Sequence, residues 1–270
     1  MISDNFPNVF VVHYTKLEQR KKLLEQILIN HGIIPTWVTE SNFMNFKQEV
    51  PVRKKIIGVN ERLVGMDLGI NSRSIRKSRR RARIEGRILF LRSYLTRTNM
   101  LSTGSLPIKQ SLESAWIELQ RMHLTAIHEG LQSDKNWILV LEDDALPNDL
   151  AFEKIREIMQ TTSAENVWMN LNSGAGLGRT KSENEINRHG LFEVKPAATR
   201  CAVAYLISRD LAEKFIKSAI EDGIPNWLPI DFYFQVLLRK FKAKSYWIEP
   251  ELFRQGSETG EYRSGFEKFR

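Results

Sequence analysis

The sequence predicts an α/β fold with a mostly parallel central sheet, and three observations carry that expectation. Strand-like apolar runs alternate with helix-period segments along the 270-residue chain. The chain opens with a β-α-β pattern, the crossover that parallel neighbours need. The run Trp137–Leu141 ("WILVL") is apolar at every position, as suits a central strand covered on both faces.

In chain order, Val9–Val12 reads as the first strand. Thr15 and Glu18 form a T-x-x-E capping-box pattern before a helix that carries Leu17, Leu23, Leu24, Ile27 and Leu28 and stops at Gly32. Ile33–Val38 reads as the second strand. From about residue 43 to 105 the periodicity weakens, and the stretch "RSIRKSRRRARIEGR" marks a basic, partly irregular insertion rather than a second domain. Leu112, Trp116, Leu119, Met122, His123, Ile127 and Leu131 trace one face of a long helix. After the strand at 137–141, Asp149 stands where "LAFEKIREIMQ" needs an N-cap. Val167–Leu171, "AVAYLIS" and "SYWIEPEL" read as strands. "RDLAEKFIKSAI" reads as a helix ended by Gly223, and "LPIDFYFQVLLRKF" places Asp231 just before another helix. The expectation is a single domain over residues 1–270.

The composition is globular, and the formal net charge of +8 suits acidic partners such as phosphates, nucleic acid or an anionic membrane surface. The single cysteine, Cys201, excludes an intramolecular disulfide and fits a reducing compartment. The opening "MISDNFPNVF" lacks the basic and apolar regions of a signal peptide, and no apolar run approaches the ~20 residues of a membrane helix. The expected location is cytoplasmic, with room for loose contact at the inner face of a membrane.

The most informative stretch is "WILVLEDDALPND", where a buried strand runs into Glu142, Asp143 and Asp144. Crowded, partly desolvated carboxylates need compensation. In open α/β sheets, ligands bind beyond the carboxyl ends of the strands. Period two puts Glu142 and Asp144 on one face if the extended backbone persists. A hard divalent cation, Mg²⁺ or Mn²⁺, would be a natural partner. A solvated acidic turn is the ordinary alternative.

The same stretch resembles the L-E-D-D signature of family 25 glycosyltransferases, the lipooligosaccharide-type and collagen-type galactosyltransferase group. Five further segments are similar in order. "VFVVHYTKLEQRKKLLEQI" resembles the opening strand and its Arg-basic pair, which Arg20 and Lys21 match. "RMHLTAIHEGLQ" resembles the helix bearing a Ser-His pair. "AATRCAVAYLISRDLAEKFI" resembles the T-x-A-Y-x-I-S segment, "LPIDFYF" the later P-x-D element, and "EPELFRQGSETGEYRS" the closing stretch. The chain departs from the family at His13 and Tyr14, which replace Asn-Leu, at Met122, which replaces Ser, and in the long basic insertion.

The resemblance implies a GT-A fold, a Rossmann-type α/β/α sandwich that binds a nucleotide-sugar. It implies Mn²⁺ or Mg²⁺ on Asp144, with Glu142 or Asp143 contacting ribose or sugar, or assisting the metal. The expected donor is a UDP-sugar and the acceptor a glycan or glycolipid hydroxyl. A hexosyl unit such as galactose would move with inversion, as in lipopolysaccharide biosynthesis. Inverting transfer needs a general base, and Asp231 is the candidate; an N-cap is its alternative role. His13, Tyr14 and Thr15 follow the first strand, where a base or ribose would sit, and Arg20 would meet a phosphate. His123 is a donor-site candidate through the Ser-His likeness, against a hydrogen-bonded core histidine. His128 is five residues on, the wrong spacing for a zinc pair on one helix face.

"SGAGLG" lacks the strand-to-helix context of a dinucleotide fingerprint and reads as a loop over the site. Asn170 and Asn172 on its rim are candidates for sugar hydroxyls, though polar loop residues need no such role. Arg73, Arg76, Lys77, Arg79, Arg80, Arg81 and Arg83 form the densest basic run. That run supports the alternative of a nucleic-acid-binding protein or a metal-dependent nuclease, which ranks below the transferase.

Overall fold

The computed structural model describes residues 6–39, 48–49, 107–172, 190–195, 197–225 and 230–262. Apart from residues 48–49, the basic insertion, with the run Arg73–Arg83, lies outside the described residues, as does the glycine loop that begins at Ser173.

The described strands are β1 (Asn8–Val12), β2 (Thr36–Val38), β3 (Gln48–Glu49), β4 (Trp137–Glu142), β5 (Ala145–Pro147), β6 (Val167–Asn170), β7 (Leu191–Glu193), β8 (Ala204–Ser208), β9 (Ile224–Pro225), β10 (Lys244–Ile248) and β11 (Phe253–Gln255). The described helices are α1 (Glu18–Asn30), α2 (Pro107–Gly130), α3 (Ala151–Thr161), α4 (Arg209–Asp222), α5 (Ile230–Lys240) and the short α6 (Gly256–Thr259).

Seven strands form one sheet in the order β2-β1-β4-β8-β6-β10-β7. β2, β1 and β4 are mutually parallel, as are β6 and β10. β8 runs against both of its neighbours, and β7 runs against β10. The sheet is therefore mostly parallel, with β8 and β7 reversed. The apolar run of β8 is equally compatible with either direction, so sequence pattern alone did not separate them.

Helices cover both faces. Phe10, Val12, Ile138, Val140, Trp168, Tyr205 and Ile207 pack against α2, α4 and α5 through Ile127, Phe215 and Phe234. Val9, Val11, Leu139, Leu141, Met169 and Leu206 pack against α1 and α3 through Leu24, Leu28, Ile155 and Ile158. Alternation along each strand divides the core into these two layers. β4 is buried on both faces, which explains its lack of polar alternation. Among the described residues, no helix is long and apolar enough to cross a membrane.

Two cap expectations are corrected. α1 begins at Glu18 with Leu17 at its N-cap and no capping side chain. The Leu17 N–H donates to the Tyr14 carbonyl at 2.9 Å, so Thr15 and Lys16 lie within a turn and Glu18 comes too early in the helix to close a capping box. Before α3 the N-cap is Leu150, not Asp149. Asn148 supplies the local acceptor, with its Oδ1 taking the Leu150 N–H at 3.0 Å. The Gly32 and Gly223 stops are observed, with φ of 72° and 83°.

Leu139 is wholly buried at the centre of β4. Leu139→Ala is expected to lower the unfolding free energy by about 2–5 kcal/mol, read as a reduced urea midpoint with an unchanged m-value.

Candidate functional site

Strand parity decides where each acid goes. Ile138 and Val140 face the α2 layer, and Trp137, Leu139 and Leu141 face the α1 layer. Continued by one step each, Glu142 falls on the α2 side and Asp143 on the α1 side. β4 ends at Glu142, and Asp143–Asp144 form a turn before β5. The extended backbone does not persist, so the expected common face for Glu142 and Asp144 is not set by strand geometry.

Asp143 meets its compensation within the chain. β1 and β4 are adjacent and parallel, with Val12 opposite Glu142, so His13 and Asp143 leave neighbouring strand ends on the same side. His13 Nδ1 donates to Asp143 Oδ2 at 2.9 Å, and the Tyr14 backbone N–H reaches the same oxygen at 3.3 Å. Arg20, Leu24 and Leu28 are the buried residues of α1, spaced four apart on one helix face. That face brings Arg20 Nη1 to 3.0 Å from Asp143 Oδ1 and 3.5 Å from Asp144 Oδ2. Both Asp143 oxygens are engaged. His13, Arg20 and Asp143, expected to touch a donor, are joined to one another in a buried polar frame. Lys21 lies over the Trp37 ring at 5.0 Å, and that ring meets His13 edge-on.

Asp144 differs. Its carboxylate is bonded by Ser257, its backbone oxygen accepts the Gly256 N–H at 2.8 Å, and its Oδ1 is buried without a partner. Burial raises its pKa, Asp143 adds to the rise, and Ser257 and Arg20 oppose it. Ser257 arrives through pairing of β11 with β5, immediately after the acids. The Tyr262 ring then covers Arg20 at 5.2 Å.

On the α2 side, Glu142 Oε1 lies 3.3 Å from His123 Nε2, and His123 Nδ1 lies 3.1 Å from the Tyr205 hydroxyl. His123 is wholly buried, and burial drives its pKa down to about 4. The neutral ring donates from one nitrogen and accepts at the other. His123 sits behind Glu142, bonded to that carboxylate, and lies close enough to Asp231 for the two to act on each other's pKa. Burial, and then the charges of Asp144 and Asp143, push the Glu142 pKa well up. Asp231, in the first turn of α5 rather than at its cap, is raised to about 7 by burial and then by Glu142. It accepts a backbone bond from Ala202, while its Oδ1 is buried without a partner.

Tyr14 and Thr15 are exposed at the end of β1, Tyr14 at 48%. The two asparagines separate. Asn170 Oδ1 accepts from Trp168 Nε1 at 2.8 Å and from the Arg200 N–H at 3.1 Å, and its Nδ2 donates to the Cys201 carbonyl. Both carboxamide atoms of Asn170 are thus engaged within the fold. Asn172 keeps its Nδ2 free. Sequence reasoning missed Ser257, Tyr262 and Tyr205. Tyr205 was legible from the alternation of "AVAYLIS"; Ser257 and Tyr262 reach the site only through long-range pairing.

Among the described residues, no group of three His, Cys, Asp or Glu side chains is arranged to hold a metal ion by itself. Mg²⁺-type sites commonly need only one or two protein carboxylates, with phosphate oxygens and water completing the shell. The free buried oxygen of Asp144, among acids whose pKa values are raised, fits that chemistry. Separately, a cavity of about 380 Å³ lined by Phe6, Lys135, Trp137 and Arg156 lies at the opposite end of the sheet and contains none of these acids.

Removing Arg20 leaves buried carboxylates with one cation fewer. Arg20→Met is expected to cost about 3–5 kcal/mol, measured by urea denaturation at pH 7. Asp231 gives a pH signature. Its folded pKa of about 7 exceeds the ordinary 3.8, so its stabilising proton is fully held below about pH 4 and lost as pH rises through 7. Without divalent cations, Asp231→Asn is expected to gain stability relative to the parent across that window and to level off above it. Thermal melts from pH 4 to 8.5 check this.

Compared with known proteins, the chain matches no family model and no curated protein.

Proposed function

We propose that the protein is a divalent-metal-dependent glycosyltransferase of GT-A type. It transfers a hexosyl unit from a nucleotide-diphosphate sugar, a UDP-sugar in the first instance, to a glycan or glycolipid hydroxyl with inversion. The observation that carries this reading is the excess of buried carboxylate at the carboxyl end of β4. After Arg20 and His13 have engaged Asp143, Asp144 keeps an unpartnered oxygen, and the pKa values of Asp144, Glu142 and Asp231 are all raised. The similarity of six ordered segments to family 25 glycosyltransferases supports the same reading. The net charge of +8 suits a phosphate-bearing donor and loose contact with an anionic membrane.

In this reading Asp144 holds Mn²⁺ or Mg²⁺, with Glu142 beside it. The cation, when bound, neutralises charge on the departing diphosphate. The chain's own residues do the rest. Asp143, fixed by His13 and Arg20, keeps the β1 and β4 ends in register. The exposed Tyr14 ring offers a stacking surface for the base. Asp231 serves as general base: its free Oδ1 takes the acceptor hydroxyl proton, and a pKa of about 7 suits that transfer near neutral pH. His123 and Tyr205 hold Glu142 in place from behind.

A thermal-shift screen of UDP-sugars with and without MnCl₂ tests the proposal. Stabilisation by a nucleotide-sugar is expected only with metal, and Asp144→Ala is expected to abolish it. A flat response across UDP-, GDP-, CMP- and dTDP-sugars with Mn²⁺ present would sink the reading.

A further inference from the structure

The cavity of about 380 Å³ at the far end of the sheet is built by segments that the fold brings together. β1 and β4 are adjacent and parallel with Asn8 opposite Ile138, so Phe6–Pro7 and Asn136–Trp137 enter the sheet side by side. α3 packs on the same face, and its Arg156, Met159 and Gln160 stand at i, i+3 and i+4, on one side of the helix. The walls are held in place. The Phe6 ring meets Phe152 of α3 edge-on at 6.3 Å. The turn before β4 is clamped by Arg209, whose Nη2 donates to the Leu131 carbonyl at 2.9 Å and whose Nη1 donates to the Ser133 carbonyl.

The lining divides by chemistry. Phe6, Pro7, Trp137 and Met159 give it apolar surface, and Lys135 and Arg156 give it two half-buried cations. Asp134 is the one acid of the lining, and it is exposed to water, which screens it. Arg156 is the informative member. Its guanidinium carbon stands 5.2 Å from the Phe6 ring centroid, and among the described residues it makes no hydrogen bond or ion pair. Lys154, two residues earlier on the same helix, is by contrast paired with Glu157 at 3.1 Å. A guanidinium placed by an aromatic ring and short of acceptors suits an oxyanion, which can take two parallel N–H bonds from it. Asn136 and Gln160 complete the lining, and their carboxamides can donate to the same anion.

We propose that this cavity binds a small phosphomonoester, with its phosphate on Arg156 and Lys135 and an apolar or aromatic body against Phe6 and Met159. Charge and size select that class. Two cations against one screened acid favour a group of nearly two negative charges over a single carboxylate. The volume lies within the range of small-molecule pockets. Trp137 starts β4 at the cavity and Glu142 ends it among the acids, so the ligand does not compete for the acidic end of the sheet.

The test needs neither metal nor nucleotide-sugar, so its outcome is independent of the transferase reading. The full chain, in a chloride buffer stripped of divalent cations, is titrated with phenyl phosphate, inorganic phosphate and benzoate, followed by calorimetry and by NMR of the side-chain amides. Phenyl phosphate is expected to bind about tenfold more tightly than either control and to move the carboxamide signals of Asn136 and Gln160. Arg156→Gln and Lys135→Gln are each expected to weaken it about tenfold, while Asp144→Ala binds as the parent does. Arg156→Lys, which keeps the charge and loses the two-pronged donor, is also expected to bind more weakly and serves if Arg156→Gln does not fold. The proposal is overturned by a tie between phenyl phosphate and either control, by unmoved signals at Asn136 and Gln160, by undiminished binding in the Arg156 variants, or by loss of binding in Asp144→Ala.

Discussion

The buried pairing of Arg20 with Asp143, with His13 on the second carboxylate oxygen, is the constraint on which the acidic end of the sheet depends. Three elements meet there: the end of β1, the first turn of α1 and the end of β4. A guanidinium taken out of water is costly alone and tolerable against a well-oriented carboxylate. Arg20 is buried against Asp143 and Asp144, and Asp143 against Arg20 and His13. The pairing thereby locks α1 against the β1–β4 edge and holds the Asp143–Asp144 turn in one conformation.

That lock divides the labour among three consecutive acids. Asp143 is spent on structure. Glu142, one residue earlier, falls on the other face of the sheet and is held by His123, whose other ring nitrogen meets the Tyr205 hydroxyl. Asp144, one residue later, lies past the end of the strand, under the returning segment that carries Ser257 and Tyr262. Their pKa values are raised for a common reason, burial, compounded by mutual repulsion that a single arginine does not cancel. Asp231 joins from α5 and feels Glu142. The result is a concentration of acceptors at the carboxyl end of a mostly parallel sheet, where α/β proteins place their ligands.

Much of the scaffold was legible along the chain. β4, β6, β8, β10, α2 and α4 lie close to where apolar runs and helical stripes placed them, because burial imposes a period that the sequence must carry. Local polar chemistry was less legible. Thr15 and Asp149 looked like caps but are not, since a backbone turn from Tyr14 and the side chain of Asn148 settled those helix starts first. Asn170 and Asn172 are nearly indistinguishable as letters, yet one is bonded at both carboxamide atoms by Trp168, Arg200 and Cys201 while the Nδ2 of the other has no partner.

By itself the sequence determined the α/β class, the two-layer burial of β4, and the crowding of Glu142, Asp143 and Asp144 at a strand end. These are properties of short windows, where the periods of strand and helix act directly. Only the tertiary structure decided that β8 runs antiparallel, that Arg20 and His13 answer Asp143, that His123 stands behind Glu142, and that Ser257 bonds Asp144. Each of those depends on which distant segments become neighbours, and a buried charge or amide takes its role from the partner that the fold brings within hydrogen-bond reach.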